Sequence, residues 1–372
     1  MALTIDKRGI VPRYFQLKEH LKKQVVEGVL SGKLPSERDL ARRYGLAHMT
    51  VRRAVSELVD EGFLFREVGK GTFVCMPGRA RRTFNVAFAL SPIVTDGAMN
   101  PYFSVILQGV QAECASRGYS VIYCARIEEV LPLYETGTAG RHSRKADAII
   151  AAAVPSAEEP IVARASGLVP TVTLDCCVEG VASVLADNVG GSELATAHLL
   201  ALGHKRIAHL AGAQDSVVGR QRLEGYRRAL ERSGASYRPE LVREAGFSFE
   251  RGYAAAEALV AAGTAFTALF CANDAVALGA MRLLRERHVR IPQDVSVVGF
   301  DDIETSRQSE PPLTTISVPK RDISRVAVDY LMRAMNESAR PCAAERLVIP
   351  CHLVERGSCA PPGPAEKGHG RP

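Results

Sequence analysis

A chain of 372 residues, 47% apolar and 24% charged, is long enough for two or three domains and has the balance of an ordinary globular protein, not a disordered or fibrous one. No run of about eighteen apolar residues is present to span a bilayer, and the first thirty residues hold no signal-like apolar segment, so a cytoplasmic protein without a membrane partner is expected. Charge is uneven: residues 1–83 carry 17 Lys/Arg against 9 Asp/Glu, and the remainder 30 against 32, so the first quarter has either a polyanion partner or a solvated basic face.

Over residues 12–27, Leu17, Leu21 and Val25 recur between Lys18, Glu19, Lys22 and Lys23, the pattern of an amphipathic helix that stops near Gly28. A second helix is predicted from Ser36, with Asp39 as its capping partner and Gly45 as its left-handed stop. Leu40, Ala41 and Tyr44 form its inward face. The third runs from Ala47 or His48 to Glu61 on a stripe of Val51, Val55, Leu58 and Val59. Residues 63–68 and 72–75 read as a hairpin turning at Gly69-Lys70-Gly71. Two helices about a glycine turn place the second in a major groove, and a basic hairpin reaches the flanking backbone or minor groove.

The run LPSERDLARRYGLAHMTVRRAVSELVDEGFLFREVGKGTFV resembles the DNA-binding domain of the GntR family, over residues 10–75. Its Pro-Ser-Glu-Arg, Thr-Val-Arg and Gly-Lys-Gly-Thr elements stand in order. That resemblance implies DNA contacts from Ser36 and Arg38 at the second helix, from His48, Thr50 and Arg52 at the third, and from Lys70 at the wing tip. Thr50 would bond a phosphate, and Arg52 would face base edges. Two departures stand out. Ala47 and His48 replace the family's usual Ser or Thr followed by Arg, and the loop over residues 29–34 is a couple of residues short. Alanine at an N-cap costs about 0.5–2 kcal/mol against serine. Histidine is a weaker cation whose charge depends on pH.

Residues 76–83, with Pro, Gly and three arginines, read as a basic linker that either touches DNA backbone or serves only as a tether. Beyond it, apolar runs at 86–90, 120–124, 148–154, 171–174, 207–211, 268–271 and 295–300 alternate with helical patterns at 102–117, 191–202, 220–233, 252–262 and 275–287. Such alternation means parallel sheets with helices on both faces, and ligands then sit off the carboxyl ends of the strands. Four loops stand there, at 100–103, 187–188, 273–274 and 301–302. Residues 127–145 lack a clear helix.

NPYFSVILQGVQ, LADNVGGSELATAHLLALGHKRIAHLAG, RLEGYRRAL, FCANDAVALGAM, IPQDVSVVGFDD and PPLTTISVP, in that order, resemble the effector domain of the lactose-repressor family, built like a sugar-binding periplasmic protein. The resemblance covers about 84–358 and implies two lobes joined by three crossings. Lobe one would take about 84–203 and 303–337, and lobe two about 204–301 and 340–358. It also implies an effector site in which Phe103 stacks, Arg222 and Asp301 bond hydroxyls, and Asn273 adds a contact, with Phe247 and Asp187 as further candidates. Sugar recognition needs such groups: planar bidentate partners for adjacent hydroxyls and an aromatic face for the ring. The structural alternatives are core positions for the two aromatics and a helix cap for Asp187.

Enzyme signatures are absent from the sequence. Asp301 and Asp302 are neighbours and point to opposite faces, and neither a GxSxG nor a phosphate-loop spacing occurs. His198, His204 and His209 lack metal-ligand spacing, and nine cysteines without a CxxC pair fit reduced thiols, so neither metal nor cofactor is expected. The tail over 359–372 is expected to be disordered. The reading is an α/β protein: a winged helix-turn-helix over 1–75, then a two-lobed periplasmic-binding-protein-like domain over 84–358. Its expected function is transcription regulation as a homodimer on operator double-stranded DNA, as a repressor, under a small-molecule effector. A sugar leads. A nucleoside or purine in the same architecture, and a plain ligand-binding protein without DNA regulation, are the alternatives.

Overall fold

The spacing of Leu17, Leu21 and Val25 produces helix α1 (Arg13–Val26), with all three side chains buried. A computed structural model describes residues 11–61, 63–67, 70–74, 82–91, 100–133, 145–336 and 345–363. Helix α2 (Glu37–Tyr44) opens on Ser36, whose Oγ accepts from the Asp39 N–H, and closes on Gly45 at φ 58°, where a side chain would be strained. Helix α3 (His48–Asp60) begins at Ala47 with no side-chain cap, as its alanine dictates. Strands β1 (Leu64–Glu67) and β2 (Gly71–Val74) pair antiparallel as the wing. Leu17, Leu21, Leu40, Val51, Val55 and Leu58 share one core, each contributing about 1.5–3 kcal/mol by burial. Ala54 is as fully buried as Val51, Val55 and Leu58, whereas Val59 of the predicted stripe is only partly buried. Lys18, nearly buried on α1, meets Glu61 at 2.9 Å and Glu57 at 3.4 Å, tying α1 to α3.

The other unit is built on two six-stranded sheets. The first has the order β13-β7-β6-β5-β3-β4. Its strands are β3 (Asn85–Leu90), β4 (Ser120–Cys124), β5 (Ala148–Ala152), β6 (Thr171–Leu174), β7 (Ala182–Ala186) and β13 (Arg346–Ile349). Helices α4 (Pro101–Ser116), α5 (Glu159–Ser166) and α11 (Lys320–Asn336) accompany it. The second has the order β14-β12-β11-β10-β8-β9, parallel except where β14 joins β12. It comprises β8 (Ile207–Ala211), β9 (Val242–Glu244), β10 (Ala268–Cys271), β11 (Ser296–Asp301), β12 (Thr314–Ser317) and β14 (His352–Val354). Around it stand α6 (Asn188–Ala201), α7 (Val217–Arg232), α8 (Phe249–Ala261), α9 (Asp274–Glu286) and the short α10 (Glu304–Gln308). The inner strands are buried along their whole length, as expected of sheets covered on both faces.

The chain passes between the sheets after β7, after β12 and after β13. This corrects the lobe boundaries drawn from the sequence. Helix α6 packs on the second sheet, not the first, and β12 lies beside β11 in the second sheet. β13 completes the first sheet against β7. The reason is that a crossing needs only one or two residues here, such as Pro350-Cys351, and so leaves little trace in composition. The expected disorder of the tail is corrected for its first residues. The Ala360 N–H donates to Ser296 Oγ, and the neighbouring Ser358 hydroxyl donates to the Val297 carbonyl. Residues 364–372, most of the linker (75–81) and the helix-poor stretch at 134–144 lie outside the described residues. Before that stretch there are only short 3-10 turns, at Ile127–Glu129 and Leu131–Leu133.

Candidate nucleic-acid interface and interlobe cleft

On the winged-helix unit, most cations near α3 are already engaged. Arg53 lies 3.8 Å over the Tyr14 ring and bonds Glu57, and Arg42 pairs with Asp39. Arg66 joins Glu37 at 3.0 Å and Ser56 at 3.1 Å. Arg38 and Arg52 are different: both are exposed, and neither has an ion pair or hydrogen bond among the described residues. Lys70 is exposed in the wing turn, and Thr50 is half-buried in the first turn of α3. Ser36 uses its hydroxyl internally, accepting from Asp39 N–H and donating to the Asp39 carboxylate at 2.6 Å. His48 is exposed, 3.4 Å from Glu37 Oε2, so that carboxylate competes with any phosphate for its charge. Two unengaged positive groups thus remain presented on one unit, Arg38 at the start of α2 and Arg52 on α3, with Lys70 exposed on the wing.

The second cluster lies between the lobes. Arg222, on α7 and 4% exposed, donates from Nε to Asn188 Oδ1 at 3.0 Å, from one terminal nitrogen to the Ala272 carbonyl at 2.5 Å, and from the other to Asp301 Oδ1 at 3.1 Å. Its guanidinium lies 3.7 Å over the Phe300 ring. Phe300 in turn rests where a side chain on Gly191 would stand, 2.8 Å away, which is why α6 has glycine there. A guanidinium has five N–H donors, so these bonds leave two for a ligand, beside the second Asp301 oxygen. Asp301 itself has φ 109° and its neighbour Asp302 φ 53°, conformations that cost energy outside glycine. Lys320, from α11, holds this turn by donating to the Asp301 and Asp302 carbonyls. Asp302 points the other way, to Arg356 at 2.5 Å.

Facing Arg222 from the first lobe is Tyr102, whose buried hydroxyl lies beside the Asp175 carboxyl yet closes no hydrogen bond of ordinary geometry among the described residues. Asp175 follows β6 with φ 54°. Burial pushes its carboxyl up to about 6, opposed by Tyr102 and by the Arg222 charge. Burial likewise raises Asp301, against the pull of Arg222 and Lys320. One layer deeper, Asp274 is fully buried and raised to about 7 by burial and by the Asp301 charge. It accepts from Ile303 N–H at 2.9 Å and from the Thr315 hydroxyl at 2.5 Å.

Of the residues singled out in sequence, the structure brings Arg222 and Asp301 into direct contact. Phe103 is 5% exposed in the core and edge-on to Tyr102, with centroids 5.0 Å apart, so its ring is chiefly a packing surface. Asn273 caps α9, accepting from Val276 N–H and donating to the Phe247 carbonyl at 3.0 Å, so both ends of its amide are engaged within the second lobe. Phe247 is half-buried with its ring against Gly212. Asp187 caps α6 at the first crossing, accepting from Gly190 N–H at 2.8 Å. Tyr102 and Asn188 lie in loops singled out from the sequence but not as site residues, and Asp175 and Lys320 were missed. Asp175 and Asn188 carried the same signal as the residues found, a polar residue just past a buried strand.

Comparison with known proteins agrees with both halves. Residues 13–74 match the family model described as bacterial regulatory proteins, gntR family, and residues 196–359 match the periplasmic binding protein-like domain. The chain is similar to the ribose operon repressor of Escherichia coli (strain K12), with 30% identity over 340 residues, 86% of this chain and 98% of that one. Among solved structures it resembles the transcriptional regulator CelR–cellobiose complex, with TM-score 0.66 and 28% identity over 87% of this chain and all of that one. It also resembles the dimeric Lac repressor with an 11-residue C-terminal deletion, with TM-score 0.65 and 28% identity, covering 75% of this chain and all of that one. Among the described residues no helix is long and apolar enough to cross a membrane. The chain belongs to the lactose-repressor (LacI) family of DNA-binding transcription regulators, with a gntR-type winged helix in front of its periplasmic-binding-protein-like domain.

Proposed function

We propose that this regulator is a cytoplasmic homodimeric repressor whose operator affinity is set by a sugar bound between its lobes, without catalysis. One observation carries the ligand site. Two carboxylates on strained backbone, Asp175 just after β6 and Asp301 at the end of β11, converge from opposite lobes on Arg222, with the buried Tyr102 hydroxyl beside Asp175. Carboxylates and a guanidinium are the partners that vicinal hydroxyls need, and a ligand lacking them would leave buried polar groups unpaired. A ligand touching groups of both lobes favours the closed arrangement by its differential affinity for it. Arg38, Arg52 and Lys70 supply the operator contacts, with Thr50 on a phosphate. Ser36 and His48 act through α2 and α3, the first as a cap and the second shared with Glu37.

The sugar reading is supported by relatives named for a ribose operon and for a cellobiose complex. The dimer reading is supported by the dimeric neighbour. The test is a thermal-shift panel of pentoses, hexoses, disaccharides and nucleosides on the full chain. A ligand at about 100 Kd adds roughly 2.7 kcal/mol to the domain that binds it. A sugar hit abolished by Asp175→Asn and retained by Asp187→Asn supports the site. Stabilisation by nucleosides alone would replace the sugar, and a sugar hit indifferent to Asp175→Asn would move the site elsewhere.

A further inference from the structure

Methionine at the start of a recognition helix is unexpected on an exposed position. Met49 is the second residue of α3 and is 68% exposed, the equal of any large apolar side chain among the described residues. Burying it within the head would be worth about 1.5–3 kcal/mol, and the fold forgoes that. Its surroundings are polar. His48 precedes it, and Arg52 follows three residues on, which puts Met49 and Arg52 side by side on one helical face. The opposite face, Val51, Ala54, Val55 and Leu58, is the core of the unit. Arg53 is turned back over Tyr14 and His48 is paired to Glu37, so Met49 and Arg52 are the long side chains in the first turns that project outward unengaged among the described residues.

The N-terminal residues of a recognition helix are those that approach base edges. In the major groove the apolar group on offer is the C5-methyl of thymine, and an unbranched thioether reaches and fits it. We propose that Met49 reads a thymine methyl in the operator, beside the base pair engaged by Arg52. The pair then divides the work: Arg52 bonds base edges with charge, and Met49 selects thymine over cytosine by burying one methyl group. Because Met49 touches no phosphate, it adds specificity without adding to the salt dependence of binding.

The experiment uses the full-length chain and a duplex selected by it from a random DNA pool. Each thymine of that duplex is replaced in turn by uracil, which deletes the methyl and nothing else. For the wild type, one thymine in each half-site should be sensitive, with affinity falling about fourfold on replacement, the worth of one buried methyl. Met49→Ala and Met49→Gln should bind the thymine and uracil duplexes equally, at about the weaker affinity, with an unchanged salt slope and melting temperature. Both variants remove an exposed side chain, so folding is not at stake. The proposal is overturned if no thymine is sensitive in the wild type, or if the sensitive thymine remains equally sensitive in both variants.

Discussion

The two proposed binding regions of this protein hold their charges in opposite ways. On the winged helix, Arg38 and Arg52 stand in solvent with no partner among the described residues, while the neighbouring cations are consumed by Glu37, Asp39 and Glu57. Between the lobes, Arg222, Asp301, Asn188 and Lys320 are buried and satisfy one another. A polyanion brings its own counter-charge to a surface, so the head can leave arginines free at little cost in folding stability. A small ligand arrives in a closed space, where an unpaired charge would cost several kcal/mol, so the cleft must be nearly complete before the ligand comes. Substitutions of the head's unpaired arginines should therefore read out binding alone, and those in the cleft should read out folding as well.

The largest expected effect lies in the cleft. Arg222→Ala strands Asp301 and the Ala272 carbonyl, and removing one partner of a buried ion pair costs about 3–5 kcal/mol. Its two-lobed domain should melt many degrees below the wild type by calorimetry. A melting temperature within a degree of wild type would show that the network is not structural. Arg52→Ala is the contrasting case. It should lower operator affinity by about 1–3 kcal/mol and relax base preference, with no change in melting. Arg53→Ala should do the reverse, loosening the head through Tyr14 and Glu57 while changing DNA affinity less.

What the sequence revealed of these two regions follows from how local each is. The caps of α2 are neighbours in sequence, Ser36 with Asp39 and Gly45 closing, and they were legible as such. The stripe of α1 was equally legible, since its period is that of the helix itself. Arg222 draws its partners from positions 188, 272 and 301, a set no periodicity encodes, and only family likeness pointed to it. Asp175 is within reach of the strand-end rule, because it follows the strand read over 171–174. The lobe boundaries failed for a different reason. β12, β13 and β14 are three or four residues each, too short to show alternation, and β13 finds its sheet only by pairing with β7, more than a hundred residues away.

A smaller effect comes from the carboxyls of the cleft. Asp175 rises from an ordinary value near 3.8 to about 6 on folding because its environment resists the charge. An acid with a raised native pKa takes up a proton on folding, so native stability falls as pH rises from about 4 to about 6 and stays reduced above that. Asp175→Asn cannot ionise. It should therefore melt higher than wild type at pH 7.5 and alike at pH 4, flattening the slope across that window. A variant with the wild-type slope would assign the effect to Asp301 or Asp274, which are raised by the same burial.

The smallest effect returns to the head and to a residue at which this chain departs from the gntR pattern. Ala47 sits at the N-cap of α3 with φ −63° and ψ 144°, the extended geometry in which a serine hydroxyl reaches the N–H groups of the helix's second or third residue. Alanine offers none, so Met49 or Thr50 N–H goes without the side-chain partner that Ser36 gives α2. Ala47→Ser should stabilise the winged helix by about 0.5–1 kcal/mol, a rise of a few degrees in the melting of a unit this small. The two-lobed domain should melt as before. If the serine gives no rise, the bare cap is compensated elsewhere. If it also tightens operator binding, the first turn of α3 is being ordered by DNA in the native chain, and the alanine is part of how affinity is set.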